Sequence, residues 1–221
     1  MSSARPGSHP CMESTVQNQS PDAAAPRPDL RPAADAVVRL LDGVADGRLG
    51  EPTPCPDYAV RELLGHLVGL ATTFRDTGLK RLGATTDTAP DSALPVLDPD
   101  WRTALPDRLA ELGEVWAGSE AWEGTTQAGG VTLPAAVAGR VALNELIVHG
   151  WDLARATGQP YDPPEAGLRV SYAFLAATGD DDPMRGTIFG PAVPVAGDAP
   201  LLEQVVGLSG RDPDWSAGTA A

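Results

Sequence analysis

Histidine is scarce in this chain of 221 residues, which has three. Cysteine is scarcer, with Cys11 and Cys55 alone, and neither belongs to a C-x-x-C pair. That excludes thiolate zinc fingers and thioredoxin-like redox chemistry. No apolar run approaches the ~20 residues that a membrane span needs. The start, MSSARPGSHPCMESTVQNQSPDAAAPRPD, lacks the apolar stretch of a signal peptide. A cytoplasmic location is therefore expected, and in that compartment a Cys11–Cys55 disulfide is not. Met12 stands beside Met1 as an alternative translation start. Basic residues are few, 16 against 30 acidic ones, for a net charge of −14. Such a surface repels nucleic acid and anionic membrane, so neither is an expected partner. The run Asp180-Asp181-Asp182 reads as a solvated loop.

What is present is enough apolar material for a core, 42% of the residues. Residues 1–28, rich in Pro, Ser, Ala and Gln, are expected to be a disordered tail. Residues 29–221 read as one domain, a helical bundle to about 180 followed by an irregular C-terminal cap over 181–215. Ala36, Val37, Leu40, Leu41 and Val44 recur at helical spacing and predict a first helix over 29–47. A second is predicted from about Asp57, as its N-cap, to Asp76, with Val60, Leu63, Leu64, Leu67, Leu70 and Phe74 as its stripe. Residues 83–99 read as a loop and 101–118 as a third helix. EGTTQAGGVTLP reads as a short extended excursion. Pro134 opens an alanine-rich, central helix over about 134–157, which Gly158 stops. Pro163-Pro164 starts a fifth helix ending near Thr178. The remainder reads as a short strand or extended piece, then a helix near 198–209. The fold class is all-α, an antiparallel four-helix bundle with a small irregular or short-strand C-terminal cap.

The chemistry-bearing stretch is ELIVHGWD, residues 145–152. On a helix Glu145, His149 and Asp152 share one face. Ala138, Val141, Ala142 and Leu153 lie on or next to it, so the trio points inward. Carboxylates and imidazoles are costly to bury unless paired or metal-bound. Spacing leaves two readings open: a hydrogen-bonded Glu–His pair on a helix wall, or part of a metal grip. Asp152 could equally pair with Arg155 at i+3. A catalytic zinc takes three protein ligands and keeps one open position. His9 lies in the tail, so His66 is the histidine left to complete such a set. Two histidines and a carboxylate also suit other divalent metals. Trp116 and Trp151 read as core or boundary aromatics.

TPCPDYAVRELLGHLVG (53–69) followed by NELIVHGWDLARATGQ (144–159) resembles the DinB-like superfamily. The nearer likeness is to its branch related to the metal-binding domain of mycothiol-dependent maleylpyruvate isomerase. The ending GPAVPVAGDAPLLEQVVGLSGRDPDW also resembles actinobacterial members of that branch. The resemblance implies a four-helix bundle that binds a divalent metal, typically zinc. The ligands it implies are His66, Glu145 and His149, with Asp152 behind them, orienting a ligand and fixing its tautomer. It further implies a metal-held small thiol, mycothiol as the cofactor, and a transferase or isomerase reaction on a small electrophilic substrate. The catalytic group would then be a metal-bound thiol or water rather than a side chain. Two alternatives stay open: a non-catalytic metal-binding stress or regulatory module, and a metal-dependent hydrolase. DinB-like bundles often pair through helices, which leaves a homodimer open. The chain departs from the pattern in ending 72 residues after His149, with no sterol-carrier-like second domain expected in that span, and in having Tyr58 where relatives often have Trp. Cys55 reads as structural.

Overall fold

A computed structural model describes residues 27–89, 93–179 and 189–217. Residues 1–26 of the expected tail and the triple-aspartate run lie outside those residues. Among the described residues, seven α-helices and one hairpin follow each other as α1 Arg31–Leu41, α2 Val60–Gly78, α3 Ala84–Asp87, α4 Trp101–Ala117, β1 Thr125–Ala128, β2 Val131–Pro134, α5 Ala135–Thr157, α6 Glu165–Ala177 and α7 Leu201–Leu208. No helix among them is long and apolar enough to cross a membrane.

Four helices form the bundle, because four apolar stripes need mutual cover. α1 packs on α4 and α5, and α2 packs on the same two. Val60, Leu63, Leu64 and Leu67 of α2 meet Leu105, Leu109 and Leu112 of α4 and Leu143, Leu146 and Ile147 of α5 in one core. End contacts fix the directions. Arg102, early in α4, donates to the Val44 carbonyl just past α1, and Arg31 at the start of α1 meets Glu114 late in α4. Trp116 and Phe74, both late in their helices, are joined by an indole N–H to carbonyl bond of 2.9 Å. Gln159, just past α5, donates to the Leu40 carbonyl near the end of α1. Hence α1 and α5 run together, against α2 and α4. The bundle is antiparallel by pairs, and the long 79–100 connection carries the chain back to start α4 beside the start of α2.

The helix starting near residue 57 begins at Val60. Its N-cap is Ala59, not Asp57, and no side chain caps it. The first helix stops at Leu41, and a separate 3₁₀ turn covers Asp46–Arg48. The 83–99 stretch contains the short α3. The extended excursion is a hairpin with Thr125 opposite Pro134 and Ala128 opposite Val131. Gly129 and Gly130, both at positive φ, form its two-residue turn. α5 is the central helix, with 18 of its 23 residues buried. It ends at Gly158 in the left-handed region, as the glycine signal predicts.

The C-terminal segment packs α7 on α6 and returns the chain towards the bundle. Its described part, 189–200, forms no strand beyond a single bridging residue at Phe189. The Val193 amide donates to the Gly207 carbonyl. Gly210, at φ +88°, closes α7 with a Schellman ending: the Arg211 amide reaches Val206 and the Gly210 amide reaches Gly207.

Candidate metal centre

His66 is the seventh residue of α2, and Glu145, His149 and Asp152 run from the middle of α5 towards its end. Because these helices run in opposite directions, the start of one faces the end of the other. The shared face expected on α5 therefore meets His66 across the helix interface. Glu145 Oε2 is 3.1 Å from His149 Nε2 and 3.5 Å from His66 Nε2. The imidazole centroids are 4.7 Å apart, edge to face. One donor atom from each of His66, Glu145 and His149 lies within 4.8 Å of the others.

This triangle suits a dication. Donors on a tetrahedral ion with bonds of about 2.1 Å are separated by about 3.4 Å. The two Glu145 distances bracket that value, and the donor set as a whole spans up to 4.8 Å, so the two imidazoles would draw closer on an ion. His66 Nε2 is buried and makes no hydrogen bond, an expensive state for a ring nitrogen that a metal would relieve. His149 Nδ1 sits 2.9 Å from Asp152 Oδ2. That contact gives Nδ1 the proton and turns Nε2 towards Glu145. Asp152, fully buried, pairs with His149 and with Arg211, not with Arg155. The Arg155 guanidinium instead donates to the Trp215 carbonyl.

Electrostatics follow from burial and pairing. Burial pushes the His66 imidazole below its ordinary value, the Glu145 carboxylate offsets only part, and His149 adds to the lowering. Burial acts the same way on His149, but Asp152 and Glu145 on its two nitrogens outweigh it and raise it to about 9. Burial also opposes charge on Glu145, yet the two imidazoles hold its carboxyl well below the usual carboxylate range. Without a metal, the His149 cation donates to both carboxylates. A metal would displace the Nε2 proton and leave the Nδ1 bond intact.

Three neighbours were not legible as site residues. Arg211 enters from the C-terminal segment, with NH2 3.2 Å from Asp152 Oδ2. The Tyr58 ring lies 5.2 Å from that of His66. Cys55 is buried on the same side, near enough to feel the charges of Arg211 and Asp152. Tyr58 and Cys55 also line, with Pro52 and Thr53, an open concavity of about 270 Å³. Trp116 and Trp151 are buried, as expected of core aromatics.

Residues 30–154 match the family model described as "Mycothiol maleylpyruvate isomerase N-terminal domain". Two uncharacterized proteins of Mycobacterium tuberculosis, from strains CDC 1551 and H37Rv, are each 28% identical over 181 residues, 81% of this chain and 93% of theirs. Crystal structures of the mycothiol-dependent maleylpyruvate isomerase and of a mutant of it are 22% identical, with a TM-score of 0.44. The alignment covers 66% of this chain and 66% of the isomerase, just under two thirds of each.

Proposed function

The chain belongs to the mycothiol maleylpyruvate isomerase N-terminal domain family, and from that premise we propose a metal-dependent enzyme that uses a small thiol. In this reading His66, Glu145 and His149 hold a divalent cation, zinc in preference, and Asp152 orients His149. Mycothiol is the thiol cofactor, and the reaction is isomerisation of, or S-transfer to, a small electrophilic substrate. The observation that carries the reading is the convergence of three donor atoms within 4.8 Å, one of them a buried imidazole nitrogen without a hydrogen bond. When bound, the cation would supply a positive centre that keeps a thiol ionised at neutral pH.

The chain's own residues prepare that position. Asp152 holds the Nδ1 proton of His149, so Nε2 is the nitrogen presented to an ion. Glu145 sits between the two imidazoles and brings the negative charge that favours a dication. The Tyr58 ring walls one side of His66. The 270 Å³ concavity beside Tyr58 lies below the ~300 Å³ from which sites for drug-sized ligands begin. Cys55, with its thiol raised to about 11, is a poor nucleophile there.

Metal analysis of untagged protein tests the first half. Near-stoichiometric zinc uptake is expected, abolished by His149→Ala and weakened about 10–100-fold by Asp152→Asn. No uptake by the parent protein overturns the reading, and equal loss in both variants overturns the orienting role of Asp152. Titrating zinc-loaded protein with mycothiol, then adding a panel of electrophiles, tests the second half. Thiol binding with product formation is expected. Neither would leave a metal-binding module without catalysis.

A further inference from the structure

We infer that Arg211 is a positioning residue for the metal centre, reaching from the C-terminal segment to hold the Asp152 carboxylate that in turn fixes His149. The inference rests on the reading of the site just given. It extends the site beyond α2 and α5, and beyond residues 30–154 covered by the family match.

The geometry is a three-part chain. Asp152 Oδ2 takes the His149 Nδ1–H at 2.9 Å and the Arg211 guanidinium at 3.2 Å. Asp152 Oδ1 makes no hydrogen bond, so both contacts fall on one oxygen. Asp152 is wholly buried, and a carboxylate in that position is costly without a cation. His149 cannot be that cation once it holds a metal, since a ligand imidazole is neutral. Arg211 carries a charge that no ligand exchange removes.

Arg211 is also built in rather than laid on. Its side chain is 12% exposed, and its amide is tied to Val206. Its NH1 reaches the Ser209 carbonyl at 3.4 Å. The turn that aims it depends on Gly210. That residue sits at φ +88°, where a Cβ would lie 2.7 Å from the Gly190 Cα. Two strands of backbone thus cross beside the residue that points into the site.

Zinc affinity of the full-length chain, measured by competition with a chelator, tests this as a cycle. Arg211→Met is expected to weaken zinc binding about 10–100-fold, with Arg211→Lys recovering part of the loss. In an Asp152→Asn background, Arg211→Met is expected to add less than twofold, because the residue it acts through is already altered. Unchanged affinity, or losses that multiply, overturn the inference. A second readout needs no metal. The His149 Nδ1–H proton resonance of the metal-free protein should exchange slowly, vanish in Asp152→Asn, and exchange at least tenfold faster in Arg211→Met. An unaltered resonance in a folded Arg211→Met protein overturns the inference even if the parent chain takes up no zinc. That last result would by itself overturn only the proposed function. Should Arg211→Met not fold, Arg211→Gln is judged by the same two readouts.

Discussion

Cys55 shows how little of a residue's chemistry its identity decides. It lies near Arg211, whose charge would activate a thiol, yet burial dominates and pushes it from 9.0 up to about 11. A folded-state value above the unfolded one means that this thiol's contribution to stability is complete below about pH 9 and is lost as pH rises towards 11. In a Cys11→Ala background, iodoacetamide at pH 8 should leave Cys55 unmodified in the native protein and label it promptly in urea. Native labelling at the unfolded rate would show that the thiol is not enclosed. The other site residues divide by how visible they were. His66, Glu145 and His149 could be named because histidine is rare and helical spacing is strict. Arg211 could not. It is one of 16 basic residues, and its contact with Asp152 spans 59 positions that no periodicity links. Spacing offered Arg155 instead, which the fold turns towards Trp215.

Among the elements, α5 was the most legible, since its apolar residues cover most of its circumference and Gly158 marks its end. The start of α2 was less so. Asp57 has the chemistry of a cap, but the Thr53 hydroxyl binds the Cys55 and Tyr58 carbonyls and holds the loop until Ala59. The packing of α5 gives a test of a different kind. A Cβ on Gly139 would lie 2.5 Å from the Trp122 ring and 2.6 Å from the Trp116 ring. Both rings are buried and pinned by indole N–H bonds of 2.9 and 2.8 Å, to Phe74 and Trp116. Helix propensity favours alanine over glycine by up to about 1 kcal/mol. Overpacking costs about 1–3 kcal/mol and should win. Gly139→Ala is expected to lower the urea midpoint at unchanged slope. A raised midpoint would show that the indoles can yield.

At the scale of the whole molecule, the run of helices was legible but their directions were not, because periodicity says which face is buried and not which way the chain returns. α2 and α4 run parallel only because the 79–100 connection is long enough to bring the chain back. The site joins two oppositely directed helices, so an ion bound there should stabilise the fold as a unit. Zinc at a hundredfold excess over its Kd contributes about 2.7 kcal/mol. For a chain of this size that corresponds to a Tm rise of about 5–10 °C. Calorimetry should show it in the parent protein and not in His149→Ala. An equal rise in both would place the ion elsewhere. The burial of α5 also bears on how such a protein can diverge. The helix that carries Glu145, His149 and Asp152 touches most of the fold, so a change there disturbs stability and chemistry together. The 50–59 loop and the segment after residue 189 border the same centre from outside the four bundle helices. Selection for a new substrate therefore has two surfaces on which to act while the donor set is inherited unaltered.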